Sequence, residues 1–163
     1  MSARRDGSTE LEDLRVPVKV KLAAAWMTFM FLYVYVDILG FYLPGTINDI
    51  LAGVVWEVDI TQTWAVSALA LMAVPILMVV LCTLLPARAN RVTNLVVAAV
   101  YVLISAANAL GESWTYYYAL AVGLEVAVLG FVLRCAWTWP RGTASPATAT
   151  SRDARLLEAH RTA

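Results

Sequence analysis

The chain has 163 residues, 61% hydrophobic and only 15% charged, with 12 basic and 12 acidic side chains that cancel formally. That composition, with a positive mean hydropathy, is too apolar for a water-soluble domain of this length and points to a membrane protein. The single histidine, His160 near the C-terminus, and two isolated cysteines, Cys82 and Cys135, exclude a bis-histidine haem and fit no zinc spacing.

Residues 1–16 are polar and mixed in charge, a flexible N-terminal segment. The first long apolar run, LAAAWMTFMFLYVYVDILGFYL at residues 22–43, carries one charge, Asp37, and ends at Pro44-Gly45. A run of this length is a membrane span, predicted as a helix over about residues 20–43. A carboxylate inside it is costly and faces protein in preference to lipid. The run contains Asp37 and lacks a small-residue cleavage site, so it does not read as a signal peptide.

Thr46 then stands three residues before Asp49, the spacing of a capping box. Ile47, Ile50, Leu51, Val54, Val55 and Val58 follow with helical periodicity. The expectation is a short amphipathic helix over about residues 46–58, lying in the interface with Trp56 as an anchor.

A second, uncharged span is predicted over residues 62–85, with Pro75 near its middle as a kink. PARANR, residues 86–91, reads as a tight basic loop. The third span, 92–110, carries Asn94, Tyr101, Ser105 and Asn108 on one stripe that continues to Glu112, and Gly111 is placed to stop it. The fourth, 114–138, opens with Tyr116-Tyr117-Tyr118, holds Glu125 near its centre, and closes on Trp137 and Trp139. Gly123 and Gly130 form a small-residue face suited to a second copy or a partner subunit. After Pro140, TASPATATS is low-complexity linker, and residues 142–163 form a disordered tail.

All twelve basic residues lie before the first span, in the loop after the second, or at and beyond the end of the fourth. The positive-inside rule then puts both termini in the cytoplasm. By rise alone, Asp37 sits about 9 Å, and Glu125 about 16 Å, from the outer ends of their spans. Ser67, Ser105, Tyr117 and Tyr118 fall near the first level, and Tyr101 near the second. No Lys or Arg stands at either depth, so an ionised carboxylate there needs water or a cationic ligand. The ligand- or proton-binding candidates are Asp37, Glu125, Tyr101, Ser105, Tyr117, Tyr118, Ser67 and Asn108. A single buried acid that fixes helix register would use the same residues.

No nucleotide-binding glycine loop and no catalytic-triad pattern occurs. The chain therefore reads as a non-enzyme with no metal, cofactor or nucleic-acid partner; its partner is the lipid bilayer.

VKVKLAAAWMTFMFLYVYVDILGFYLPG, the Ile60-Thr61 start of the second span, PARANR with Asn94 after it, Glu125 and the closing AWTWP resemble an uncharacterised bacterial family of four-helix membrane proteins, a domain of unknown function. The likeness covers about residues 17–141. It departs before the second-span proline, where members of that family often carry a glutamate and this chain reads Met72-Ala73-Val74-Pro75. The layout also resembles the DoxX-like group, some of whose members are linked to quinone-dependent or redox complexes. The resemblance implies the fold and a bacterial inner-membrane location, and supplies no activity.

The expected architecture is all-α, a bundle of four transmembrane helices with a short amphipathic interfacial helix between the first two. The expected role is small-molecule or lipid binding, or that of an accessory subunit, with an outward-facing polar cavity floored by Glu125. A proton-coupled transporter and a DoxX-like redox component are the alternatives.

Overall fold

A computed structural model describes residues 16–55, 58–110 and 114–140. The predicted N-terminal segment, the Trp56 anchor, the Gly111 stop, Glu112 and the linker and tail beyond Pro140 lie outside the described residues. Four long helices dominate: α1 (Val18–Gly40), α3 (Gln62–Leu84), α4 (Ala87–Asn108) and α5 (Thr115–Trp137). Each is long and apolar enough to cross a membrane.

Two prolines begin helices where a missing N–H costs nothing, Pro17 before α1 and Pro86 before α4. Thr61 caps α3, its hydroxyl accepting from the Trp64 backbone N–H at 3.1 Å. At its far end α1 tightens, with i→i+3 hydrogen bonds carrying the chain through Phe41, Tyr42 and Leu43.

The chain departs from the sequence expectation in two places. The segment predicted as one helix over residues 46–58 is helical only as α2 (Thr46–Leu51). Gly53, at φ +82°, turns it into a short antiparallel pair of β1 (Val54–Val55) and β2 (Val58–Asp59). Thr46 makes no capping bond, because Gly45 takes the cap position and the expected capping box does not form. The PARANR stretch is not a loop either. Ala87 to Arg91 are the first turns of α4, which leaves Leu85 and Pro86 as the whole connection. Alanine and arginine are strong helix formers, and the preceding proline presets the start.

Helix α1 packs along α3 and α5, and α4 packs along α5, while α3 and α4 meet over a shorter stretch. The order around the bundle is therefore α1, α3, α4, α5, with α1 and α4 on a diagonal. Side chains fill that diagonal. Trp26 and Phe29 of α1 are fully buried and meet Tyr101 of α4 edge-on, at centroid distances of 6.3 and 5.7 Å. Such edge-to-face pairs are favourable beyond their area. In lipid, packing of this kind and interhelical hydrogen bonds hold helices together, since leaving the acyl chains gives no hydrophobic gain.

One polar network is buried in this core. Trp26 Nε1 donates to Asn94 Oδ1 at 2.7 Å, and Cys82 Sγ lies 3.4 Å from the same oxygen. The Asn94 amide donates to the Asn90 carbonyl at 2.9 Å and to Asn90 Oδ1 at 2.6 Å, and Asn90 donates to the Cys82 carbonyl. These bonds tie α1, α3 and α4 through groups that lipid could not satisfy. Nearer the end of the bundle, Lys19 Nζ donates to the Thr83 and Leu85 carbonyls, at 3.1 and 2.8 Å, and so caps the C-terminus of α3.

Candidate functional site

The two acids of the long apolar helices stand on facing helices, α1 and α5. Glu125 of α5 is 4% exposed, on the face that also buries Ala121, Leu129 and Val132. These positions repeat at three and four residues, so one stripe carries the carboxyl into the bundle. Across from it, Ser105 of α4 is fully buried, and its hydroxyl lies beside the carboxyl without a hydrogen bond of ordinary geometry. Asp37 of α1 is exposed, within electrostatic reach of Glu125, Tyr33 and Tyr117.

Two hydrogen bonds join the helices on the Asp37 side of Glu125. The Tyr117 hydroxyl donates to the Val36 carbonyl at 2.6 Å, which pins the start of α5 beside Asp37. The Asn108 amide donates to the Tyr33 hydroxyl at 2.7 Å, which joins the end of α4 to α1 across the bundle. Having accepted that bond, the Tyr33 hydroxyl still has its own proton to donate. The Tyr117 and Tyr118 rings stack edge-on at 5.1 Å. A cleft of about 350 Å³ opens beside them at the start of α5, lined by Trp114, Thr115, Tyr116 and Tyr117.

Of the residues singled out from sequence, Asp37, Glu125, Ser105, Asn108 and Tyr117 therefore gather between α1, α4 and α5, with Tyr118 at their edge. Tyr101 is buried, but its hydroxyl turns to α3 and donates to the Leu71 carbonyl. Ser67 is exposed on α3, and no hydrogen bond among the described residues joins it to the cluster. Tyr33 belongs to the site and was not anticipated. Its signal was present in YVYVD, one turn before Asp37 on the same face.

Directly beneath Glu125 the buried side chains are apolar, and the next polar groups are those of the Trp26–Asn94–Asn90 network. Leu129 and Val132 are fully buried in the cluster that contains Phe29 and Trp26, so the floor is dry and aromatic. Among the described residues no group of three or more His, Cys, Asp or Glu side chains could hold a metal ion. On the other face of α5, Gly123 and Gly130 are exposed, and a Cβ added at either would meet no atom within 4 Å.

The arrangement has one clear chemical consequence. Carboxyl and hydroxyl groups from three helices converge, and no Lys or Arg among the described residues stands at their level. Such a site accepts protons, donates hydrogen bonds when protonated, and attracts positive charge. Comparison with curated proteins and with solved structures finds no match. Residues 13–145 match a family described as "Family of unknown function (DUF6326)", and the chain, matched over most of its length, belongs to that family.

Proposed function

We propose that the chain is a multi-pass protein of the bacterial plasma membrane, with both termini in the cytoplasm, that binds a small positively charged molecule from outside. The ligand enters past Asp37 and Tyr117 and is held over Glu125. The observation that carries this reading is Glu125 itself, a buried carboxyl beside the buried Ser105 hydroxyl, with no Lys or Arg among the described residues at its level. Desolvating a carboxylate without a counter-charge is costly, and a cationic ligand offsets that cost directly.

Binding is favoured over transport because of what lies below. A transporter needs a path to both faces, and under Glu125 the fully buried Phe29, Leu129 and Val132 close the way, while the next buried polar groups, Asn94 and Asn90, are already bonded to Trp26 and Cys82. The exposed Gly123/Gly130 face supports a second reading as an accessory subunit, since it lets another helix approach α5 closely. The two readings are compatible.

Purification in mild detergent, followed by mass spectrometry of the small molecules retained, tests the binding reading. Wild type should carry a small cationic compound that Glu125→Gln loses. Equal retention by both proteins, or a preparation of wild type that holds only lipid, contradicts it.

A further inference from the structure

We infer that the groove between α4 and α5 at the basic end of the bundle is a site for one anionic phospholipid, its phosphate between Arg91 and Arg134 and an acyl chain against Leu95 and Leu133. The groove has a volume of about 430 Å³ and is lined by Leu95, Leu133, Arg134, Trp137 and Thr138. It lies at the basic end of the bundle, roughly two to three turns along α5 from Glu125, and does not depend on the function proposed above.

Position comes first. Arg91 is four residues into α4 and Arg134 is three residues from the end of α5. At 1.5 Å per residue both are about 5 Å inside their helix ends, the depth at which headgroup phosphates meet the first methylenes. Leu95 lies one turn deeper than Arg91 on the same face of α4. The groove is thus basic at its rim and apolar below, in the order a phospholipid presents its own groups. Trp137 forms the wall between, largely exposed, as expected of a ring at headgroup level.

Charge selects the lipid. Lys19, Lys21, Arg88, Arg91 and Arg134 all stand at this end, and no carboxylate among the described residues stands with them. The Arg91 guanidinium is held 5.9 Å over the Trp137 ring, and its Nε is buried without an acceptor. Packing on an aromatic face fixes the group and leaves its charge uncompensated by the protein. Arginine suits phosphate because its fork can donate two bonds at once. A zwitterionic headgroup brings its own cation to the same place and gains less. The Lys19 ammonium is already used on the Thr83 and Leu85 carbonyls, whereas Arg134 lines the groove and Arg91 lies over the Trp137 ring that walls it.

Native mass spectrometry of the full chain in detergent, titrated with dioleoylphosphatidylglycerol or with dioleoylphosphatidylcholine, tests the site. The anionic lipid should be retained in preference, and Arg91→Gln with Arg134→Gln should weaken it about thirtyfold, in line with the contribution of two cations near a membrane surface. Leu95→Trp, which fills the groove and keeps both charges, should also weaken it, and decides the matter if the double variant loses its helicity. Glycerol 3-phosphate at equal concentration should not compete, since it lacks the acyl chain. Equal retention of the two lipids, full retention by Leu95→Trp, or displacement by glycerol 3-phosphate would each overturn the proposal.

Discussion

Tyr101 repairs the defect that Pro75 makes in α3. A proline has no N–H to donate to the carbonyl four residues earlier, which here is Leu71, and the Tyr101 hydroxyl of α4 donates to that carbonyl instead. In lipid an orphaned carbonyl has no water to turn to, so the kink in one helix and the phenol of another belong together. This also accounts for Tyr101 facing away from Glu125.

That pairing makes a specific prediction. Tyr101→Phe should destabilise the bundle by about 1–2 kcal/mol, the cost of a lost interhelical bond with its acceptor left bare. In a Pro75→Ala background the helix supplies its own N–H, and the same substitution should cost less than half as much. Unfolding in mixed micelles of the four proteins of this cycle measures the coupling. Equal costs in both backgrounds would separate Tyr101 from Pro75.

The Trp26–Asn94–Asn90 network makes another. Asn94→Leu removes the acceptor of the buried Trp26 N–H and the donor to Asn90, and should cost about 1–3 kcal/mol. Trp26→Phe should cost less in an Asn94→Leu background than alone. Additive losses in the same unfolding assay would show that the two residues act independently.

How much of this was legible beforehand divides along physical lines. The four spans follow from long apolar runs, which no packing can relocate. The inward face of Glu125 follows from the cost of the alternative. Depth could be counted from rise, but direction around the axis could not, because it depends on how neighbouring helices rotate against each other. Ser67 was placed level with Asp37 by counting and proves exposed, while Tyr33, one turn from Asp37, proves part of the site. PARANR looked like a loop because it is charged, yet arginine stems extend from a helix end to the headgroups without breaking it. For the 46–58 segment, Gly53 and the valines after it were the available warning, a turn signal followed by β-branched residues.

Gly53 therefore carries the third prediction. At φ +82° an added Cβ is strained although nothing crowds it, so Gly53→Ala should cost about 1–2 kcal/mol of local stability. Spin labels scanned from Thr46 to Val55 should show helical alternation as far as Leu51 and none beyond it. Continuous helical alternation to Val55 would contradict the structure of this segment.

Membrane orientation is the fourth. The basic helix ends should face the cytoplasm and the Asp37, Asp49 and Asp59 side should face outward. In a background with Cys82 and Cys135 replaced, a cysteine at Asp49 should react with an impermeant thiol reagent in intact cells. One at Ala89 should react only after the cells are opened. Labelling of position 89 from outside would reverse the orientation and with it the direction of ligand entry.

The central claim is that Glu125 is a working carboxyl in a site that opens outward. Infrared difference spectroscopy of the purified protein, from about pH 5 to about pH 9, reads its protonation directly through the carboxyl stretch. The account predicts a band that responds to pH, that is altered when the retained cationic compound is removed, and that disappears in Glu125→Gln. A carboxyl band that stays fixed as protonated across the whole range, in a protein whose bound small molecules are the same with and without Glu125, would show that the residue serves only to hold the helices together.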